Sequence, residues 1–125
     1  MEDDRIQFFS LKGSKLLAIN CNSALRLVVI TTSQGQFTVD HEQECCESVQ
    51  LYRTDICAAS INEEIIEASE EFLNEHPPFY KPSEYEESFT WSVYKIHTKS
   101  GISTLYFLGE SNGYYCESTS VSKIA

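Results

Sequence analysis

Three histidines, five cysteines and one glycine turn crowded with polar groups are where this 125-residue chain could do chemistry. A metal reading starts from "HEQECCES", with His41, Glu42, Glu44, Cys45 and Cys46 close together and Cys57 a little further on. Zinc takes four tetrahedral ligands, usually delivered as spaced Cys or His pairs. Here the close pair is adjacent, and neighbours in an extended chain point to opposite faces. A second pair would have to come from Cys57 or Cys116, so the expectation is no metal and small apolar thiols. A cysteine nucleophile needs a base and a lowered thiol pKa, yet Glu44 and Glu47 beside Cys45 and Cys46 act the other way. Ser111 lacks the strand-turn-helix setting of a serine nucleophile. Glu110 and Glu117 could pair as two carboxylates across a turn, as sugar hydrolysis requires, with nothing else pointing to sugars. The chain is therefore read as a non-enzyme without cofactors, with a small hydrolase or metal-binding enzyme as the remote alternative.

Binding is the richer possibility. In "GESNGYYCES" (109–118), Glu110, Ser111, Asn112, Tyr114 and Tyr115 gather around Gly113. Asn-Gly is a turn by its tolerance of positive φ, and such polar residues also serve turn hydrogen bonding. As a site, Tyr114 or Tyr115 would stack a base while Asn112 and Arg53 or Lys95 make polar contacts to a small nucleotide. Trp91, Tyr94, Tyr106 and Phe107 are core residues first, since they alternate along strands.

Charge favours a different ligand. Residues 63–87 hold nine glutamates against the single Lys81, which is −8 of the chain's −10. Such a segment repels phosphates and removes the usual electrostatic route to nucleic acid. It suits a basic protein surface, and Glu67 and Glu70 are its proposed contacts; the plain alternative is a solvated face. No apolar run reaches the ~18 residues of a membrane span. The first residues, "MEDDRIQFFSLKG", are acidic where a secretory signal is basic, so a soluble intracellular protein with reduced thiols is expected.

The elements that position these groups are mainly strands. "RIQFFSL" and "KLLAINC" around "KGSK" read as two short strands, or one strand and a lead-in segment. "LRLVVITTSQGQFTVDHE" is a hairpin turning at 33–35; its first strand is apolar on both faces and belongs inside a sheet. Over 61–75, Ile61, Ile65, Ala68 and Phe72 fall at helical spacing, but Ser60 and Asn62 interrupt it. A short helix near 54–61 followed by an extended segment is expected, with helix against strand over 61–75 left open. Residues 76–88, "HPPFYKPSEYEES", carry all three prolines and read as a loop. Phe89–Leu108 is a second hairpin, turning at 99–101, whose second strand is apolar on both faces. After Asn112-Gly113, "YYCESTSV" is expected to return as a further strand.

The pattern predicts one mainly β domain over 1–125, α+β being the variant. It would be a single antiparallel sheet or a small barrel-like domain with one or two short helices. Cys45–Ser48 and Glu110–Tyr115 both fall at strand ends and are expected to be neighbours.

Two stretches, "FTVDHEQECCESVQL" and "WSVYKIHTKSGISTLYFLGESNGYYCES", together resemble a family of small phage and prophage proteins known as a domain of unknown function. The matching residues are Cys45, Cys46, Glu47 and Ser48, then Trp91, Tyr94 and Lys95. Gly109, Ser111, Asn112, Gly113, Tyr114, Tyr115, Glu117 and Ser118 complete them. Cys116 stands where the family has serine, and 63–87 is longer and more acidic than the family pattern. The resemblance covers about 25–120 and brings no catalytic residue. It implies a phage-encoded accessory protein in the cytoplasm of an infected bacterium. By class association, such proteins act in counter-defence by stoichiometric binding. The favoured partner is a host defence protein. The alternative is a sponge for a nucleotide immune signal, whose pocket between subunits of a homo-oligomer could gather Arg26, Arg53 and Lys95.

Overall fold

The computed structural model describes residues 6–22, 24, 26–82, 87–113 and 115–124. Leu25, Glu84, Glu86 and Tyr114, used in the sequence reading, lie outside them. Among the described residues eight strands run in chain order: β1 Leu16–Cys21, β2 Leu27–Thr32, β3 Gly35–Asp40, β4 Ser48–Asp55, β5 Glu67–Leu73, β6 Ser88–Thr98, β7 Gly101–Ser111 and β8 Ser120–Lys123. They form two antiparallel sheets of four, ordered β1-β2-β3-β8 and β4-β7-β6-β5. The mainly β expectation holds. The single sheet or barrel gives way to two open sheets that share a core.

Alternation explains that core. Val28 and Ile30 of β2 with Phe37 and Val39 of β3 face Leu51 of β4, Tyr94 and Ile96 of β6, and Leu105 and Phe107 of β7. Phe8 seals one end, its ring edge-on to Tyr94 with centroids 4.9 Å apart. Burying such side chains contributes ~1.5–3 kcal/mol each, and aromatic edge contacts add to that.

The first lead-in is a 3₁₀ turn, Phe8–Leu11, rather than a strand. The helix expected near 54–61 shrinks to a 3₁₀ turn at Ala58–Ser60. The extended segment expected after it is β5. Asn62, at φ 75, turns the chain; its N–H donates to the Leu16 carbonyl at the start of β1, the Leu16 N–H donates to the Glu63 carbonyl, and the Ile65 N–H donates to the Ser14 carbonyl. Glu63 then accepts the Ser100 N–H and hydroxyl, tying this turn to the β6–β7 hairpin.

The C-terminal strand departs from expectation. Beyond Gly113 the chain does not continue the second sheet: it crosses the core edge and enters the first sheet as β8 beside β3. The crossing is pinned from the inner face of β6. Thr90 donates to Glu117, Ser92 Oγ accepts the Thr119 N–H, and the Tyr94 hydroxyl meets Thr119 Oγ1 at 2.7 Å.

β7 needs cover on its outer face, where Tyr106 and Leu108 lie. The proline-rich loop supplies it. Phe79 and Tyr80 pack on Trp91, Leu108 and Tyr106 as a second, smaller core. His76 stacks on Phe89 with ring centres 3.7 Å apart and accepts the indole N–H of Trp91 at 3.0 Å.

Candidate functional site

The two motif stretches meet at one corner of the second sheet. Ser48, the first residue of β4, pairs with Glu110 near the end of β7. The proximity expected from strand ends is therefore present. A pocket of about 240 Å³ lies there, lined by Ser48, Gln50, Tyr52, Tyr80, Leu108 and Glu110.

Glu47 organises the loop leading into β4. Its Oε2 accepts from His41 Nε2 at 2.8 Å and from the Glu44 N–H at 2.9 Å, while Oε1 accepts the Cys45 N–H at 2.8 Å. Burial pushes this carboxyl up, but the bonds from His41 and the loop N–H groups outweigh that and bring it down to about 2. The other His41 nitrogen, Nδ1, faces the Ser118 carbonyl oxygen at 2.8 Å. His41 thus joins the first motif to the second. Gln43 adds bonds to the carbonyls of Cys45 and Glu47.

Cys-Glu-Ser occurs in the sequence at 46–48 and again at 116–118, and the carboxylate of the second copy is also bonded within the corner. Glu117 is buried and accepts from Thr90 Oγ1 at 3.0 Å and from the Ser111 hydroxyl. Ser111 Oγ in turn accepts the Gly113 N–H at 2.9 Å, closing the Asn112-Gly113 turn. The sequence echo at 46–48 and 116–118 therefore marks two buried carboxylates bracing one corner. Both were missed as braces, although the repeat itself was the available signal.

At Cys45 and Cys46 the chain bends instead of extending, and the two sulfurs are joined to each other. The opposite-face geometry expected of neighbouring residues applies only in a strand. Cys21, Cys57 and Cys116 are free thiols. Among the described residues no three His, Cys, Asp or Glu side chains come together as a metal site.

The remaining sequence-derived residues are spread over the second sheet. Ser111 and Tyr115 are half-buried and Asn112 is exposed at the corner. Arg53, exposed on β4, bonds Asp55 at 3.2 Å and lies over the Phe79 ring at 4.6 Å. Lys95 sits on β6, in a cleft of about 540 Å³ bounded by Glu71, Glu75, His76 and Tyr106. β7 separates Arg53 from Lys95, so they do not form one basic pocket. Glu67 and Glu70 lie on β5, an edge strand, three residues apart and so on opposite faces. The acidic residues border an edge rather than form one face. Burial raises the Glu70 carboxyl.

An open two-sheet β domain, with motif carboxylates bracing a corner and glutamates along a free edge, is the class that fold and site define. The chain belongs to the family described as Domain of unknown function (DUF7448), whose model matches residues 9–121. No curated protein and no solved structure matches it. Among the described residues no helix is long and apolar enough to cross a membrane.

Proposed function

We propose that this chain is a non-enzymatic, phage-encoded binding protein that captures and neutralises a host defence protein in the infected bacterium. One observation carries it. Glu47 and Glu117, the motif carboxylates, are tied into the corner's own hydrogen bonds, whereas Glu67, Glu70 and Glu71 stand exposed along β5. Groups so engaged hold a shape, and exposed charge selects a partner by electrostatic complementarity. The phage setting rests on the motif resemblance.

The test is stoichiometric. Bacteria carrying a defence system and expressing the chain should regain phage plating, and the purified chain should co-elute with the defence protein at a fixed ratio. Inactivation of excess effector by catalytic amounts of the chain would overturn the reading.

A nucleotide sponge is the second reading. Lys95 favours it, being a half-buried ammonium in the 540 Å³ cleft with Tyr106 beside it. Glu71 and Glu75 on the same cleft weigh against an anion. A sponge releases an intact nucleotide when the purified protein is heat-denatured; an empty supernatant counts against it.

A further inference from the structure

The two sheets have four edges, and they are not equivalent. β1 carries a register shift between Leu16 and Ala18, and its start is bonded to residues 62–65. β4 carries a register shift between Leu51 and Arg53. β8 is four residues long and is bonded by the Ile6 N–H at Val121. Bulges, short strands and cover are ways in which proteins stop an edge from pairing.

β5 is neither bulged nor short, and among the described residues the cover that reaches it is the 3₁₀ turn Phe8–Leu11. Its seven residues pair with β6 in unbroken register, from Glu67 opposite His97 to Leu73 opposite Trp91. Among the described residues no main-chain bond engages its other side. Two apolar side chains stand open beside that edge, Ile66 and Phe72, each 50% exposed. Phe9, 64% exposed, belongs to the 3₁₀ turn that packs against β5.

We propose that β5 is a docking edge that accepts an extended basic segment of a partner protein as an added antiparallel or parallel strand. Main-chain bonds to the free side of β5 would supply affinity, as in other strand-addition complexes. Lys or Arg side chains alternating with apolar ones would meet Glu67 and Glu71 on one face and Ile66, Glu70 and Phe72 on the other. Charge decides the occupant. A second copy paired through β5 would set Glu67, Glu70 and Glu71 against their own kind, and like charges across a strand pair destabilise it. A basic strand turns the same residues into attraction. This proposal rests on the reading of the chain as a protein binder and names the mode and chemistry of its partner.

The experiment uses the full chain, isotope-labelled, titrated with an alternating Lys/Val decapeptide and with a Glu/Val decapeptide as control. The Lys/Val probe is expected to shift amide resonances at 66–73 and to slow their hydrogen exchange, while the Glu/Val probe does neither. Glu67→Lys combined with Glu71→Lys should weaken the probe at least tenfold, on exposed positions that leave the fold intact. Probe binding that maps elsewhere, is indifferent to this reversal, or fails altogether overturns strand addition at β5. So does a wild-type dimer that the reversal disperses. Co-elution with a defence protein that survives the reversal also sinks this proposal, while leaving the binder reading standing. Probe binding at β5 by a chain that never co-elutes with a defence protein sinks the binder reading instead.

Discussion

Nε2 of His41 lies 2.8 Å from Oε2 of Glu47, with both side chains almost wholly buried. The other ring nitrogen faces the Ser118 carbonyl oxygen at 2.8 Å, so one imidazole bridges the two motif stretches. A buried carboxylate that loses such a partner is left charged and under-bonded, so the contact is costly to break from the His41 side.

The first prediction concerns acid. Glu47 is lowered from 4.5 to about 2, so the folded state holds this carboxylate ionised where the unfolded chain would protonate it. A lowered carboxyl contributes stability that is full above the unfolded value and lost as pH falls through the folded one. Stability of the wild type should therefore decline between about pH 4.5 and pH 2 in urea titrations. Glu47→Gln should lower stability at neutral pH and flatten that decline, since the amide cannot accept every bond the carboxylate does. An unchanged acid profile in the variant would show that Glu47 is not the group responsible.

His76 and Trp91 give the second. The indole N–H of Trp91 is fully buried and donates to His76 Nδ1. His76→Phe keeps the stacking on Phe89 but removes the acceptor, which should cost about 1–3 kcal/mol. Trp91 is the chain's single tryptophan, so its fluorescence reports the unfolding directly. Faster proteolytic cutting within 74–82 should accompany the loss, because the same bond holds the loop to the sheet. A Phe variant as stable as wild type would mean that the loop repacks without the bond.

Both hairpins were legible because alternating residues and a glycine turn are local signals, and so was the meeting of Ser48 with Glu110 at two strand ends. The cover over the outer face was not. Periodicity along β7 reports that Tyr106 and Leu108 are buried but not by what, and Phe79 and Tyr80 sit among prolines with no period of their own. Glu67 and Glu70 share a face at helical spacing and separate in a strand, so the open choice over 61–75 decided how the acidic residues were grouped. The final strand's change of sheet depends on Glu117 and Thr119 reaching β6, a non-local contact that composition does not record.

Gly109 and Gly113 make a paired prediction. A Cβ on Gly109 would lie 1.9 Å from the Glu117 carbonyl oxygen, so the crossing chain itself would have to move. Gly109→Ala should cost about 3 kcal/mol or more and release the 115–119 segment. Gly113 has open space around it, and its φ of 96 is the sole obstacle. Gly113→Ala should cost about 1–2 kcal/mol. Denaturant midpoints of the two variants test the order; equal midpoints would place the crossing less tightly than the contact implies.

Tyr94 carries the last. Its ring is fully buried between the sheets and its hydroxyl meets Thr119 Oγ1 at 2.7 Å. Burial raises this phenol above its ordinary value; the Thr119 bond pulls the other way, and nearby Glu70 and Asp40 add to the rise. With the folded value raised, the neutral phenol is favoured in the fold. That contribution is present below the unfolded value of 10.0 and is lost as pH rises towards the folded one. In an ultraviolet titration one tyrosine should therefore ionise only together with unfolding, after the exposed ones. Thr119→Val should leave the hydroxyl without its partner and cost about 1–3 kcal/mol at neutral pH. Tyr94→Phe in the Thr119→Val background should recover part of that cost, because removing both polar partners leaves neither unsatisfied. If the double variant is no more stable than Thr119→Val alone, Thr119 serves the crossing through its N–H bond to Ser92, and the hydroxyl pair adds nothing to it.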